Sequence, residues 1–328
     1  MSFFSALLAL RDQAQHHSDR SRPDLVRHDR EFYNTVNTAI NGWSITLSCI
    51  EPTVYCMYAG TLVNLRYSLM VRVRCVFLTV ACLGLACRFA SAQGLTVAAA
   101  SDLQSALPAI TSQFEKDSGQ KVTLTFGSSG NFFTQIQNGA PFDVFLSADI
   151  DYPKRLEGSG QAERGSLYEY ATGRLVLWTR NDSRIDVRRG LVVLSDTRVR
   201  RIAIANPEHA PYGRAAVAAL RHEGLYERVQ GKFVLGENIS QAAQFAQTGA
   251  AQVGLLALAL ALSPTLKSSG TYVDIPESWY PPIEQAAVVL TSSRQKALAR
   301  QFVDYLKKAD SVRILQSFGF AVPQATVR

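Results

Sequence analysis

Two points where an apolar strand passes into a helix through small hydroxyl residues constrain this fold more than any other feature. The first is Leu95-Thr96-Val97-Ala98-Ala99-Ala100, followed by Ser101-Asp102 and then Leu103, Leu107, Ile110 and Phe114 at helical spacing. The second is Lys121-Val122-Thr123-Leu124-Thr125-Phe126, followed by Gly127-Ser128-Ser129-Gly130-Asn131 and another helical pattern. Strands that pass directly into helices build α/β layers. A helix start exposes unpaired backbone N–H groups and the positive end of the helix dipole. Two such starts facing one cleft make a neutral, hydrogen-bonding cage for an anion.

Composition narrows the alternatives. The formal charge of the 328 residues is +7, and residues 1–92 contribute 9 Arg and no Lys against 6 Asp/Glu. The remaining 25 basic and 21 acidic residues leave +4, spread singly. No basic stripe of the kind a nucleic-acid surface needs is present, so no nucleic-acid partner is expected. All five cysteines (Cys49, Cys56, Cys75, Cys82 and Cys87) precede residue 88. The chain beyond has no thiol for a disulfide, a metal site or a nucleophile.

The segment 70–92 has the parts of a cleavable export signal. Met70-Val71-Arg72-Val73-Arg74 is a basic head, Cys75 to Cys87 is an apolar run, and Ala90-Ser91-Ala92 is a small-x-small cleavage site. The apolar run is short for a membrane span and is followed by Arg88. Gly84-Leu85-Ala86-Cys87 fits a lipoprotein site poorly. Export to the periplasm with a mature start at Gln93 is the expectation. Translation is then expected from Met70, because such a signal is read at an N-terminus. Residues 1–69, with scattered charge and no sustained period, are left as an extension that is untranslated or disordered.

From Gly94 strands and helices alternate, which argues for α/β layers with mainly parallel sheets. Residues 142–146, 174–178, 201–205, 233–235, 252–256, 271–275 and 285–290 read as strands; 294–308 and 310–317 read as closing helices. No internal repeat is evident. Three sequence stretches in order, Ala98-Ala99-Ala100-Ser101, Phe126 to Gly130, and Gly139-Ala140-Pro141-Phe142-Asp143 on to Asp149, resemble the periplasmic molybdate-binding proteins of ABC importers. So do Asn206 to Gly213 (NPEHAPYG) and Gly236 to Ala242 (GENISQA). The resemblance runs from about 95 to 323.

That resemblance implies the two-lobed clamshell of type II solute-binding proteins, with 93–172 plus 285–328 as lobe one and 173–284, including the hinge crossings, as lobe two. It implies an exported, non-catalytic, monomeric binder of molybdate or tungstate that serves a membrane permease and carries no cofactor. Ser101 and Ser129 match the family's serine ligands, each offering hydroxyl and N–H. Tyr212 and Ile239 match backbone N–H donors at helix starts. Their plainer roles are helix capping and turn packing. Asp102 is read as a helix cap, since a carboxylate aimed at a dianion repels it. Leu256 stands where the family often has a tyrosine donor, so that contact is expected to be missing or replaced by the Tyr212 hydroxyl. Molybdenum enters as the oxyanion, with no cation ligands expected.

Competing readings are another oxyanion or small-acid binder, or an enzyme on the same fold. A porphobilinogen deaminase-like enzyme needs a cysteine that the exported part lacks. A Ser129, His209, Asp143 triad lacks the G-x-S-x-G elbow. His209 and His222 alone make no metal site.

Overall fold

The computed structural model describes residues 94–323. The expected signal segment, the extension 1–69 and all five cysteines lie outside the described residues. Two five-stranded sheets, each covered by helices, make up the two lobes.

In the first sheet the order is β2-β1-β3-β10-β4, with β1 Leu95–Ala100, β2 Val122–Gly127, β3 Val144–Ser147, β4 Tyr168–Gly173 and β10 Ile283–Val289. The second has the order β7-β6-β8-β5-β9, with β5 Leu175–Arg180, β6 Ile202–Ala205, β7 Phe233–Gly236, β8 Val253–Ala257 and β9 Gly270–Asp274. The sheets share one plan. Three strands run parallel, β2-β1-β3 and β7-β6-β8. A fourth, β10 or β5, runs antiparallel between the third and the edge strand. Each sheet is thus mixed, with its parallel half at the connected βα turns.

The antiparallel strand in each lobe is the one that arrives from the other lobe. The chain leaves β4 at Gly173 and enters β5 at Leu175; it leaves β9 at Asp274 and returns at Ile283. Both cores are dominated by aliphatic residues from the sheets. Leu95, Val97, Val144 and Val289 pack with Phe114 and Phe302 in lobe one. Trp178, Ile202, Ile204, Leu255 and Leu256 pack in lobe two.

The helices follow from local signals. α1 (Leu107–Ser118) has a proline in its first turn and closes on Gly119 at φ +69°, a left-handed position that favours glycine. α2 (Ser129–Gln137) and α3 (Asp151–Gly158) complete the early part of lobe one. α4 (Pro211–His222) opens on proline, whose missing N–H costs a helix start nothing. α5 (Ile239–Thr248) is capped by the Asn238 side chain, which accepts from the N–H groups of Ser240 and Gln241, and it ends at Gly249. α6 (Lys296–Tyr305) and α7 (Ala309–Ser317) close the chain over lobe one. Ser101 opens a four-residue 3-10 turn, Ser101–Gln104, rather than the long helix its apolar stripe suggests; α1 begins only at Leu107.

Candidate functional site

Ligands of open α/β sheets lie beyond the carboxyl ends of the strands. Here those ends, from both lobes, converge. Ser101 follows β1, Ser128 and Ser129 follow β2, Ala148 follows β3, Tyr212 opens the helix after β6, and Ile239 opens the helix after β7. Together they line one small cavity. All four residues singled out from the sequence, Ser101, Ser129, Tyr212 and Ile239, lie on its wall. The residues lining it include no Lys, Arg or His.

The wall is built to donate. Tyr212 and Ile239 stand in the first turns of α4 and α5, where helix geometry leaves N–H groups without intrahelical partners. The Ser129 hydroxyl oxygen accepts from the Ala148 N–H at 2.9 Å, so its own proton remains to be donated. The Ser101 oxygen lies 3.4 Å from the Ser240 N–H of the other lobe, a long contact with the same polarity. Both serines are almost fully buried. The geometry suits a small anion held by neutral donors.

The wall runs on into a buried polar cluster through Asp102 and Tyr212, both among the lining residues. The Asp102 Oδ2 accepts from the Gln285 Nε2 at 2.6 Å and from the Tyr212 hydroxyl at 3.0 Å. The Gln285 Oε1 accepts from the Tyr170 hydroxyl at 2.8 Å. Burial raises the Asp102 carboxyl to about 6 against the donation from Gln285 and Tyr212. Burial first, and the Asp102 charge second, push the Tyr212 and Tyr170 hydroxyls well above the ordinary tyrosine range, so both remain donors.

Three expectations change here. The Tyr212 hydroxyl is committed to Asp102, so it does not replace a missing ligand donor; only the backbone of this residue is available to the cavity. Asp102 is not a helix cap: the turn that contains it has no side-chain cap, and its carboxyl faces Tyr212 and Gln285. Leu256 leaves no gap in the site. It is fully buried in the lobe-two core and is not among the residues lining the cavity. Its side chain folds over Gly254, where an added Cβ would meet the Leu256 Cδ2 at 2.9 Å.

The opposite rim is closed by loops. The His209 carbonyl accepts from the Ser128 hydroxyl at 2.6 Å and from the Gly130 N–H at 3.0 Å. The His209 Nδ1 lies 3.0 Å from the Ser128 Oγ. Asp143 is elsewhere, accepting from Thr96 and from the Ser293 hydroxyl. Ser129, His209 and Asp143 therefore form no triad. A wider cleft beside the cavity has Asp149, Asp151, Glu284 and Arg214 in its lining. It is a poor anion seat, because the Arg214 guanidinium is already paired with Asp149. Among the described residues no group of three His, Cys, Asp or Glu is placed to hold a metal ion. Nor is any described helix long and apolar enough to cross a membrane.

Residues 95–321 match the family model of bacterial extracellular solute-binding proteins. The chain belongs to that family. This solute-binding protein is 41% identical over 238 residues to the molybdate-binding protein ModA of Azotobacter vinelandii, spanning 73% of this chain and 93% of the relative. It is 39% identical over 231 residues to ModA of Rhodobacter capsulatus, spanning 70% and 89%. The solved periplasmic molybdate-binding protein of Azotobacter vinelandii superposes with a TM-score of 0.66 at 38% identity, over 70% of this chain and all of that one.

Proposed function

We propose that the protein is the substrate-binding subunit of a molybdate ABC importer and that it holds molybdate, or tungstate, in the cavity between its lobes. The Ser101 and Ser129 hydroxyls and the N–H groups of Tyr212 and Ile239 are the proposed donors. The observation that carries this reading is the convergence of four neutral donors from both lobes on one small cavity without a cationic side chain. The molybdate-binding relatives supply the choice among oxyanions.

Neutral donors suit a transported dianion. Hydrogen bonds to a charged acceptor are about twice as strong as neutral ones, and several of them hold the ligand reversibly without a fixed counter-charge. Because the donors come from both lobes, binding favours closure and release accompanies opening. The proposal includes export to the periplasm, action as a monomer, delivery to a membrane permease and no catalytic step.

Calorimetry of the mature chain with molybdate, tungstate, sulfate and phosphate tests the reading. One-to-one binding of molybdate and tungstate, with sulfate and phosphate at least a hundredfold weaker, is the expected result. Preference for sulfate or phosphate, or no binding of any of the four, would overturn it.

A further inference from the structure

Within the buried cluster, three members belong to lobe one and one to lobe two. Asp102 follows β1, Tyr170 lies in β4 and Gln285 in β10, whereas Tyr212 is on α4. All four are nearly or completely buried. We propose that Asp102 and Gln285 are positioning residues that capture the Tyr212 hydroxyl on closure, so that the side chain of Tyr212 locks the lobes while its N–H faces the anion.

The geometry supports this in three ways. First, the Asp102 Oδ2 is a shared acceptor: Gln285 holds it from lobe one, and Tyr212 is the donor from across the cleft. The Gln285 Nε2 also lies 3.2 Å from the Tyr212 oxygen, and the Tyr170 hydroxyl fixes the other end of the Gln285 amide. The acceptor is therefore oriented before lobe two arrives. Second, the Asp102 Oδ1 is buried without a hydrogen-bond partner. A buried carboxyl with one oxygen unpartnered makes the donors on the other oxygen costly to lose. Third, the hydroxyl enters a space kept open by Gly173, where the chain leaves β4 for the other lobe. A Cβ there would overlap the Tyr212 hydroxyl and sit 2.7 Å from the Gln285 Nε2. The lock thus uses a crossing strand as its strike plate.

One residue then joins two events. Tyr212 is in the first turn of α4, so the same turn that presents its N–H to the cavity carries the ring that reaches Asp102. Closure that seats the anion also seats the hydroxyl. A variant lacking the lock closes less often, and its apparent affinity falls in proportion to the closed fraction.

The lock rests on the proposed anion site for its binding readout and is independent of it for its conformational one. Stopped-flow and calorimetric titration with molybdate, with X-ray scattering on the ligand-free chains, are applied to the parent, Tyr212→Phe, Asp102→Ala, Asp102→Asn and the Tyr212→Phe/Asp102→Ala double variant. Tyr212→Phe is expected to dissociate about tenfold faster with association little changed, because a lost latch acts on the closed state. Asp102→Ala should do the same, and the double variant should be no worse than the poorer single one, since one interaction cannot be lost twice. Asp102→Asn keeps an acceptor oxygen and should retain most of the parent's affinity. Gly173→Ala should open the ligand-free chain in scattering and weaken molybdate binding. Parent-like dissociation in a folded Tyr212→Phe, or additive losses in the double variant, would overturn the lock. A parent that binds no molybdate refutes the proposed function instead. In that case the scattering decides the lock: Tyr212→Phe and Asp102→Ala more open than the parent support it, and unchanged profiles overturn it.

Discussion

The two serine turns look alike in sequence and differ in what holds them. The Ser129 oxygen is fixed within its own lobe by the Ala148 N–H at 2.9 Å and opens the nine-residue helix α2. The Ser101 oxygen opens a four-residue 3-10 turn and makes only a 3.4 Å contact, to a residue of the other lobe. The residue after each serine faces across the cleft: Gly130 approaches the His209 backbone, and Asp102 takes the Tyr212 hydroxyl. The Ser129 oxygen is held within its own lobe, and its turn is closed by Ser128 and Gly130 donating to the bare His209 carbonyl of the other lobe. The other is completed by closure and carries a buried charge. A cleft built this way has one serine oxygen set within its own lobe and one whose contact crosses to the other, which suits a ligand that must be both held and released.

The sharpest break in this comparison is Gly130→Ala. A Cβ at 130 would lie 2.6 Å from the His209 carbonyl oxygen and 2.9 Å from its Cα. Backbone cannot swing aside as a side chain can, and the clash exists only across the cleft. The variant is expected to keep the parent's melting temperature and to lose more than a hundredfold in molybdate affinity, the equivalent of about 2.7 kcal/mol or more. Parent-like titration would show that the second turn does not need close apposition of the lobes.

The other turn is tested by pH. Asp102 has a folded-state value of about 6 against an ordinary 3.8, with burial as the largest cause. Between those values the folded chain binds more protons than the unfolded one, so this group's contribution falls as pH rises from about 4 through about 6 and is level above. The full effect approaches about 3 kcal/mol, from roughly 1.4 kcal/mol for each pH unit between the two values. Asp102→Asn should remove that dependence, so the gap in melting temperature between variant and parent should widen in the variant's favour from pH 4 to pH 7. The His209 imidazole beside the Ser128 hydroxyl is common to variant and parent, so it drops out of that gap.

Much of this site was legible because its parts are local. A hydroxyl residue after an apolar strand, or a proline or asparagine at the mouth of a helix, announces where backbone donors will point. The serine turns at Ser101 and Ser129 could therefore be picked out from the residues, Tyr212 and Ile239 came from the family resemblance, and the fold brings all four to one wall. The lock was not legible for the opposite reason: Asp102, Tyr212 and Gln285 are separated by 110 and 73 residues along the chain. Its one local sign was Gln285, a buried polar side chain between the exposed Glu284 and the buried, apolar run Ala286-Ala287-Val288-Val289. Leu256 came from the resemblance too, and nothing in an apolar run buried on both faces of a sheet indicates which side chains reach its end. The antiparallel strands β5 and β10 were hidden too, since strand period does not record direction.

The finest test sets the two serines against each other. Ser129→Ala removes a donor to a charged ligand, which costs about 1.5–3 kcal/mol, or roughly ten- to a hundredfold in affinity. It also strands the buried Ala148 N–H, adding about 1–3 kcal/mol of lost stability that appears as a lower melting temperature without ligand. Ser101→Ala removes a hydroxyl whose protein contact is long, so its ligand-free melting temperature should stay within a degree or two of the parent's. Its affinity should still fall, by about tenfold, because the anion loses a donor of the same kind. Calorimetry paired with thermal melts on both variants reads the two quantities separately. Equal destabilisation of the ligand-free chains would mean that both serine oxygens are fixed within their own lobe, and the distinction between them would fail.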